Sequence, residues 1–465
     1  MKRLLVITLL LTGCTLGPDY QRPVVTVPDT WRANAPAAAV DLGWWDEFQD
    51  PELRELIREA LVSSHDLRIA VARVDQARAL LGITRSDQLP RVDAGASASR
   101  NRFSETTEPR GFGGESNRFA VAADLSFEID LWGRLRRATE ASRAELLATE
   151  EARNVVQMTL VSDVAGAYLR LRQLDLELET TRRNATSRRD ALQIVRDRFE
   201  AGLTSALDLH QAEAGLAATA ARIPDLERLI VETENQLSIL VGRPPRAIPR
   251  GRALNAQTTP PEIPAGLPSD LLERRPDIRL AEAALVAANA RIGVAKADYF
   301  PRISLTGLFG VESSDLSDLF TSASRIWTYG AGLAQPIFNA GRTRGNVEFA
   351  EARQREALIA YEQTIYRSFR EVEDALVAHR KAREALAAQN IAVRASREAL
   401  SVAESRYRSG LTTYLDVLDA QRTLLAAEVE ESRTLLTQLV AVVQLYRAIG
   451  GGWETESGAA TGAAE

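Results

Sequence analysis

The chain has 465 residues, 45% of them hydrophobic and 26% charged, and its formal net charge is −6. This composition is ordinary for a globular or coiled-coil protein. The slightly acidic balance and the lack of a basic cluster give no support for nucleic-acid binding. The single cysteine excludes a disulfide within the chain and a cysteine-based metal site.

The N-terminus has the form of a secretory signal. Two basic residues precede an apolar run over 4–11, which is far too short to span a bilayer. The run ends in Leu11-Thr12-Gly13-Cys14, which resembles a bacterial lipoprotein box. We therefore predict a signal peptide over 1–13 and a covalent lipid on Cys14, with no other cofactor. Because Thr15 rather than an aspartate follows, the resemblance to sorted lipoproteins favours the outer membrane.

An extended segment and a helical region follow the signal. Prolines recur from Thr15 to about Ala39, and they predict an extended stretch within a region that we place at 14–50. Asp50 directly precedes Pro51, which predicts a helix that begins here with Asp50 as its cap. Apolar residues at helical spacing continue this pattern towards Leu81.

A pair of strands is predicted in each half of the chain. The clearest strand runs from Phe119 to Leu131, where seven apolar residues alternate with polar ones and predict one apolar and one polar face. Its partner is predicted at about 91–102, with an exposed loop over 103–117. The second pair is predicted at about 302–312 and 326–338, with Trp327 and Tyr329 as candidate interface aromatics.

The two longest uniform stretches, 134–200 and 342–408, lack proline and consist mostly of good helix formers. Each predicts a helix of about 100 Å, a length typical of a coiled-coil rod or a projecting tube. Glycines at the ends of the predicted helices repeat at a fixed distance of 208 residues, which indicates a tandem duplication. These pairs are Gly133 with Gly341 (341 − 133 = 208), Gly202 with Gly410, and Gly242 with Gly450.

Each long helix is predicted to end in a tight hairpin. A glycine without a Cβ suits the left-handed residue that ends a helix. The spacings Ser205-x-x-Asp208 and Thr413-x-x-Asp416 then suit a capping box for the next helix. Helices joined by about four residues lie antiparallel, so we predict return helices over 206–241 and 414–449.

The duplication also sets the predicted domain plan. It has two repeats over 51–242 and 269–450, a proline-rich connection over 243–268 and a disordered tail over 451–465. Four strands with open edges cannot lie in hydrocarbon on their own, because the edge donors and acceptors would have no partner. Two chains would close eight strands around a filled interior, whereas three would close twelve and leave a lumen. A conducting pore therefore favours a trimer.

No catalytic constellation stands out, and we predict that the chain is not an enzyme. The three histidines, His65, His210 and His379, lie far apart, and each is expected to be a surface or interfacial residue rather than a base or a metal ligand. The sequence has no nucleophile elbow, phosphate loop or paired-cysteine site.

The chain resembles the TolC-like outer membrane factors of Gram-negative efflux systems, and within them the lipoprotein branch that contains OprM and NodT. The stretches that carry the resemblance span nearly the whole mature chain and occur in the expected order. They are Leu11-Thr12-Gly13-Cys14, Gly43-Trp44-Trp45, Arg274-Arg275-Pro276-Asp277-Ile278-Arg279, Phe300-Pro301, Arg406-Tyr407-Arg408-Ser409-Gly410 and Tyr414-Leu415-Asp416-Val417-Leu418-Asp419-Ala420-Gln421-Arg422.

The resemblance implies a mixed α and β membrane protein. Its duplicated unit of long α-helical hairpins plus two β-strands would assemble as a homotrimer with a 12-stranded β-barrel in the outer membrane and a periplasmic α-helical tunnel. The partners implied are outer membrane lipid, a periplasmic adaptor protein and an inner membrane pump of the resistance-nodulation-division type. The function implied is passive export of small molecules, with transport energy supplied by the pump.

The resemblance also implies roles for the two hairpins. Their tips would contact the adaptor, through Gly202, Leu203, Thr204 and Ser205 in the first and Gly410, Leu411, Thr412 and Thr413 in the second. A periplasmic gate would lie on the helices that flank the second hairpin, at Tyr407, Leu415, Asp416, Asp419 and Arg422. The residues alone leave other interpretations open: the tips can simply build the turns, Asp416 can be only a cap, and Asp419 with Arg422 can be a surface ion pair.

Two other functions remain open at this stage. A type I secretion exit duct for polypeptides would share the architecture. A non-conducting trimeric coiled-coil spacer or adhesin would explain the lipid anchor and the long helices, but it would not explain the alternating strands in both repeats.

Overall fold

The computed structural model describes residues 15–32, 44–103, 114–258, 265 and 267–451. Cys14 and the predicted signal peptide lie outside the described residues, and so do Gly43 and the predicted tail from residue 452 onwards. The predicted lipidation site and domain boundaries therefore stay predictions.

In the first half of the chain, the helices begin at the residues predicted from the sequence. The Asp50 carboxylate caps the first helix by accepting hydrogen bonds from the backbone N–H groups of Glu52 and Leu53. The long helix predicted over 134–200 is confirmed. The helices of this half are α1 (Pro51–Ser63), α2 (His65–Ser86), α3 (Arg134–Glu200), α4 (Ala206–Ala220) and α5 (Arg222–Leu240).

The second half repeats this order. The long helix predicted over 342–408 is confirmed, and a single long helix returns from it. The helices are α6 (Leu271–Arg274), α7 (Pro276–Ala297), α8 (Arg342–Arg408) and α9 (Tyr414–Ala448). Short 3-10 turns lie at Trp44–Phe48, Leu254–Ala256, Pro268–Asp270, Leu316–Asp318 and Ser322–Ser324.

The prediction of one continuous return helix over 206–241 is wrong, because this segment is divided at Ala221 into α4 and α5. Pro224 explains the division: it has no backbone N–H to donate to the carbonyl four residues earlier, and its ring crowds that turn. The equivalent position in the second repeat is Ser432 (224 + 208 = 432), and α9 passes through it without a break.

The four strands form one antiparallel sheet in the order β1-β2-β3-β4. The strands are β1 (Arg91–Phe103), β2 (Gly114–Ile129), β3 (Arg302–Ser313) and β4 (Arg325–Ala334). The last strand was predicted to reach residue 338, which is wrong, because its pairing with β3 ends where Ala334 meets Arg302. The loop predicted over 103–117 is also too long, since β1 and β2 already pair at Phe103 and Gly114.

Apolar and polar side chains separate onto the two faces of the sheet, as the alternation in β2 predicts. One cross-strand row consists of Ala94, Ala123, Phe309 and Trp327, and the next row, on the other face, contains Asp93 and Asp124. Phe309 and Trp327 are 67% and 65% exposed. No other part of the described chain therefore covers the apolar face. In the described ranges, no helix combines the length and the apolarity that crossing a membrane would need.

The chain divides into two compact units, and each draws on both repeats. The first unit takes Met1–Val25, Arg73–Glu150 and Leu280–Glu362, and it contains the sheet. In this unit the N-terminal segment is fixed by Arg137, a buried side chain that donates to Asp19 Oδ1 (2.6 Å) and to the carbonyl of Leu16 (3.1 Å). Gly17 lies so close to Gly293 that a Cβ on Gly17 would be 2.5 Å from the Gly293 Cα.

The second unit takes Thr26–Ala72, Glu151–Arg279 and Gln363–Glu465, and it contains both hairpins. The carboxylate of Asp50 is a buried centre of this unit. Besides capping α1, it accepts hydrogen bonds from the Tyr168 hydroxyl (3.0 Å), the Arg252 N–H (3.0 Å) and the Gln257 amide (2.7 Å). One side chain therefore ties α1 to α3 and to the connection between the repeats.

Candidate functional site

The first hairpin closes by a glycine-based helix end. α3 ends at Glu200, and Gly202 has a positive φ of 72°. The Leu203 N–H donates back to the Arg198 carbonyl at 2.8 Å, which satisfies a carbonyl at the helix end. The predicted capping box is confirmed: Asp208 N–H donates to Ser205 Oγ (3.2 Å), and Ser205 N–H donates to the Asp208 carboxylate (3.3 Å).

The second hairpin repeats this geometry. Gly410 has a φ of 73°, and the Leu411 N–H donates to the Arg406 carbonyl at 2.9 Å. The Thr413 N–H donates to the Asp416 carboxylate at 3.3 Å, and the Thr412 hydroxyl donates to the same carboxylate oxygen. The duplicated sequence therefore builds two turns of the same kind.

The tips leave an uncovered surface of small and apolar residues. A Cβ built on Gly202 or on Gly410 would have no neighbouring atom within 4 Å. Leu203 and Leu411, which follow these glycines, are each 69% exposed. No residue in the described part of the chain covers either tip glycine, so another helical element can approach both turns closely.

Hydrogen bonds at the tips lower the pKa of both capping carboxyl groups. For Asp208, partial burial alone would raise the pKa, but the hydrogen bonds from Thr204 and Ser205 outweigh it, and the pKa lies below its ordinary value. For Asp416, the hydrogen bonds from Thr412 and Thr413 lower the pKa. Both groups are therefore ionised at neutral pH, and a negative charge in the first turn is favourable at the positive end of the helix dipole.

Tyr407 connects the two hairpins. The Arg198 guanidinium lies over the Tyr407 ring, with its central carbon 4.9 Å from the ring centroid, and it also donates to the Tyr407 carbonyl at 3.4 Å. On its other side the ring meets Tyr414 edge-on at 5.6 Å. The Tyr407 hydroxyl is buried and has no hydrogen-bond partner in the described part of the chain. The ring rather than the hydroxyl therefore makes the contact.

An apolar cluster below the tips includes residues from all four hairpin helices. Leu192 and Val195 of α3 and Ala212 of α4 pack with Tyr414, Val417 and Leu418 of α9, and Tyr407 of α8 lies against them. The two hairpins are therefore one packed body near their tips, and a movement of one must disturb this cluster.

The remaining predicted gate residues lie on the exposed side of α9. Leu415 is 53% exposed, and its counterpart in the first repeat, Leu207, is 65% exposed. Asp419 and Arg422 are exposed as well. Within the described residues neither forms an ion pair or a hydrogen bond, so the surface pair that their spacing allows is not formed.

Two arginines near this cluster are not among the site residues predicted from the sequence. Arg198 occupies the same place in its repeat as Arg406, so the repeat itself was a signal, but its contact with Tyr407 depends on the tertiary fold. Arg188 is buried, with its Nε bonded to Asn184 Oδ1 at 2.8 Å. Burial lowers the pKa of this guanidinium; Tyr414 raises it, and the like charge of Arg422 lowers it further.

The histidines do not gather into a site. His65 and His210 are exposed, as predicted, but the prediction of a surface or interfacial position is wrong for His379, which is buried in the second unit. Burial and the neighbouring Arg383 lower the pKa of His379, which favours its neutral form. No group of acidic, histidine or cysteine side chains in the described part of the chain has the arrangement of a metal site.

Comparison with known proteins identifies the family. The family model described as "Outer membrane efflux protein" matches residues 56–243 and 267–451. The solvent efflux pump outer membrane protein SrpC of Pseudomonas putida is 38% identical over 455 residues, which cover 96% of this chain and 97% of SrpC. The cation efflux system protein CusC of Escherichia coli O6:H1 is 36% identical over 459 residues, which cover 96% of this chain and 98% of CusC.

A solved structure agrees with these relatives. The open state of the MtrE outer membrane channel of Neisseria gonorrhoeae superimposes with a TM-score of 0.85 at 34% identity, and the match covers 95% of this chain and 99% of MtrE. The mixed fold of long helical hairpins and strands predicted from the resemblance is thereby confirmed. The chain belongs to the outer membrane efflux protein family.

Proposed function

We propose that the protein is the outer membrane channel of a tripartite efflux system and that it conducts small molecules passively out of the cell. The observation that carries this proposal is the four-stranded sheet, which has one uncovered apolar face and two unpaired edges. Such a sheet is compatible with lipid only if its edge donors and acceptors find partners. A non-conducting spacer would not need a sheet of this kind.

The channel is proposed to be a homotrimer. The described part of each chain contributes four strands, so three chains would close a barrel of twelve, which is wide enough for a lumen, whereas two would give a barrel filled by side chains. The long helices α3 and α8, with 67 residues each, would build the periplasmic tunnel. Cys14 would carry the lipid that anchors the chain to the outer membrane.

The hairpin tips are the proposed contact with a periplasmic adaptor. Support comes from the open space around Gly202 and Gly410 and from the exposure of Leu203 and Leu411. A helical partner with a small apolar groove would cover both leucines, and the tight turns would let its backbone approach. The adaptor would in turn connect the channel to a pump of the resistance-nodulation-division type.

The gate is proposed to lie on the second hairpin. Tyr407 would hold α8 and α9 against the first hairpin through Arg198, while Leu415, Asp419 and Arg422 would face the passage. Within the described residues neither Asp419 nor Arg422 forms an ion pair or a hydrogen bond, so both would be available to groups of a neighbouring chain. Asp416 belongs to the same region, but its carboxylate is engaged by Thr412 and Thr413.

The cargo is proposed to be small molecules that the pump selects. SrpC is named for solvents and CusC for cations, so related channels carry chemically different cargo. An accumulation assay tests the function: cells that lack their own outer membrane efflux channel, but keep pump and adaptor, are loaded with a fluorescent pump substrate. Expression of this chain should restore export, whereas unchanged accumulation from a correctly inserted channel would count against it.

A further inference from the structure

A buried arginine of the first hairpin has no carboxylate partner in the described part of the chain. Arg188, in α3, is only 3% exposed. Its one hydrogen bond to a described residue runs from Nε to Asn184 Oδ1, and the amide of Asn184 carries no charge. Moving a charge out of water is costly, so buried charges in proteins are normally paired. The positive charge of Arg188 therefore calls for a counter-charge that the described residues do not place against it.

A buried amide of the second hairpin is unpartnered as well. Gln421, in α9, is 1% exposed, and neither its Nε2 nor its Oε1 has a hydrogen-bond partner among the described residues. A glutamine amide can donate two hydrogen bonds and accept two, and buried polar groups in folded proteins almost always have at least one partner. Gln421 therefore points to a bound group that the chain itself does not supply.

The two side chains border the same space. A Cβ on Gly215 of α4 would be 2.8 Å from Arg188 Nη1 and 3.1 Å from Leu418 Cδ1, so both atoms lie around this glycine. Gln421 follows Leu418 by three residues, which places the two on one face of α9. The guanidinium and the amide are therefore neighbours, yet no hydrogen bond joins them directly. A small group between them would satisfy both.

This arrangement occurs once, although the repeat unit occurs twice. The glycines at the helix ends correspond with an offset of 208 residues, and the same offset identifies the equivalent positions. The second repeat therefore builds a hairpin of the same kind without a buried arginine, which indicates that Arg188 is not needed for the turn itself. The equivalents of Arg188, Gly215 and Gln421 are Ser396 (188 + 208 = 396), Thr423 (215 + 208 = 423) and Glu213 (421 − 208 = 213).

We propose that Arg188 and Gln421 bind a small monovalent anion of the size of chloride or bromide. The guanidinium supplies a positive charge with directed N–H donors, and the Gln421 amide supplies further donors. A water molecule would bridge the same groups, but it would leave the charge of Arg188 uncompensated. A side chain of a neighbouring molecule is a poor candidate, because both residues are already enclosed by their own chain.

The anion connects the two hairpins. Arg188 belongs to α3 and Gln421 to α9, so a ligand between them bridges the repeats. Burial and the like charge of Arg422 both lower the pKa of Arg188, and a bound anion opposes both effects because it compensates the positive charge. A ligand that binds only the folded chain shifts the equilibrium towards it. Occupancy of the site therefore stabilises the packing of the hairpins.

Halide-dependent unfolding tests the site. The unfolding temperature of the purified protein in detergent is measured in sodium chloride, sodium bromide and sodium gluconate at equal ionic strength, because gluconate is too large for an enclosed gap between helices. At a halide concentration about 100 times the dissociation constant, binding raises the equilibrium constant for folding about 100-fold. Arg188→Met and Gln421→Leu remove the proposed donors. Arg189→Met, at the adjacent exposed arginine of α3, is the matched control.

Both halides are expected to raise the unfolding temperature of the wild type and of Arg189→Met in a saturable manner. The halide effect should vanish in Arg188→Met, and Gln421→Leu should bind about tenfold more weakly, because it loses a hydrogen bond to a charged group. Crystals grown in bromide should show an anomalous peak within hydrogen-bond distance of Arg188 and Gln421.

Three results would overturn the proposal. Equal unfolding temperatures of the wild type in all three salts would leave only a bridging water at this position. A halide effect that persists in Arg188→Met, or a bromide peak away from both residues, would place the anion elsewhere. The wild-type comparison decides the question even if Arg188→Met does not fold. Because no conductance is measured, the outcome is independent of the proposed channel function.

Discussion

Arg198 and Tyr407 join the two hairpins near their tips, with the guanidinium carbon 4.9 Å from the centroid of the ring. Arg198 is near the end of α3 and Tyr407 near the end of α8, so the contact links the two repeats. Tyr414 of α9 packs on the same ring. An opening movement of the second hairpin must therefore either separate Arg198, Tyr407 and Tyr414 or move all three together.

Removal of the Tyr407 ring should weaken the closed arrangement of the hairpins. A cation over an aromatic ring contributes about 0.5–2 kcal/mol, so Tyr407→Ala is expected to raise the fraction of open channels several-fold in single-channel recordings. Tyr407→Phe keeps the ring and removes only a hydroxyl that has no hydrogen-bond partner among the described residues, and it should behave like the wild type.

The duplication offers a matched control for Arg198, the residue that contacts Tyr407. Arg198→Ala should resemble Tyr407→Ala. Arg406→Ala, at the equivalent position of the second repeat (406 − 198 = 208), removes an exposed arginine and should change the recordings little. Equal effects of the two arginine variants would show that the contact with Tyr407 does not hold the closed state.

Among the charged residues of the second unit, Arg275 is expected to be the one whose replacement lowers the stability most. Its buried guanidinium donates to Asp277 (2.6 and 2.9 Å), to Glu371 (2.7 Å) and to the carbonyl of Ala448 (2.9 Å). Although burial opposes the charge, these acids keep the pKa of Arg275 above its ordinary value. Arg275→Met should therefore cost about 3 kcal/mol of unfolding free energy.

Urea unfolding in detergent, followed by tryptophan fluorescence, measures this loss. Arg228→Ala is the control, because the Arg228 side chain is 54% exposed in its pairs with Asp225 and Glu232, and solvent-exposed pairs contribute little to stability. Equal losses in both variants would mean that the burial of Arg275 has no energetic consequence.

The first hairpin cap should make stability depend on pH in the acid range. The pKa of Asp208 is lower in the folded chain than its ordinary value, which is about 3.9. The contribution is therefore fully present above about pH 4 and is lost as the pH falls through the lower folded value. Asp208→Asn does not titrate, so it should lose less stability than the wild type between pH 6 and pH 3.

Two further variants distinguish the contribution of the cap to stability from the general effect of acid on the protein. Ser205→Ala removes the hydroxyl that accepts from the Asp208 N–H, and it is expected to cost about 1 kcal/mol at pH 6. Asp225→Asn, on the exposed side of α5, is the control for loss of a surface carboxylate. If Asp208→Asn and the wild type lose stability in parallel, the lowered pKa of Asp208 does not contribute.

Local signals made much of the architecture predictable from the sequence. The helices over 134–200 and 342–408 have long proline-free runs, and the turns at Gly202 and Gly410 combine a left-handed residue with a capping box. These features depend on residues that are close in sequence. The alternation in β2 likewise predicts its two faces without knowledge of the neighbouring strands.

Features that depend on tertiary contacts could not be predicted. The last strand ends at Ala334 because its partner β3 begins at Arg302, although the apolar pattern continues beyond it. The Arg198 contact with Tyr407 and the burial of His379 arise from helix packing, which cannot be predicted from the spacing of residues in the sequence. The division at Ala221 is different, because Pro224 is a local signal for it and lies within the sequence of the segment itself.

The most direct test of the proposed function is the conductance of the purified protein in a planar bilayer, compared with Asp419→Ala plus Arg422→Ala. Among the residues that the structure describes, these exposed charges form no ion pair or hydrogen bond, so they are expected to hold the closed passage by pairing between chains. The expected result is a low conductance in the wild type that rises in the double variant. Equal conductance of both proteins would contradict the gate assignment, and no conductance from either inserted trimer would contradict the channel itself.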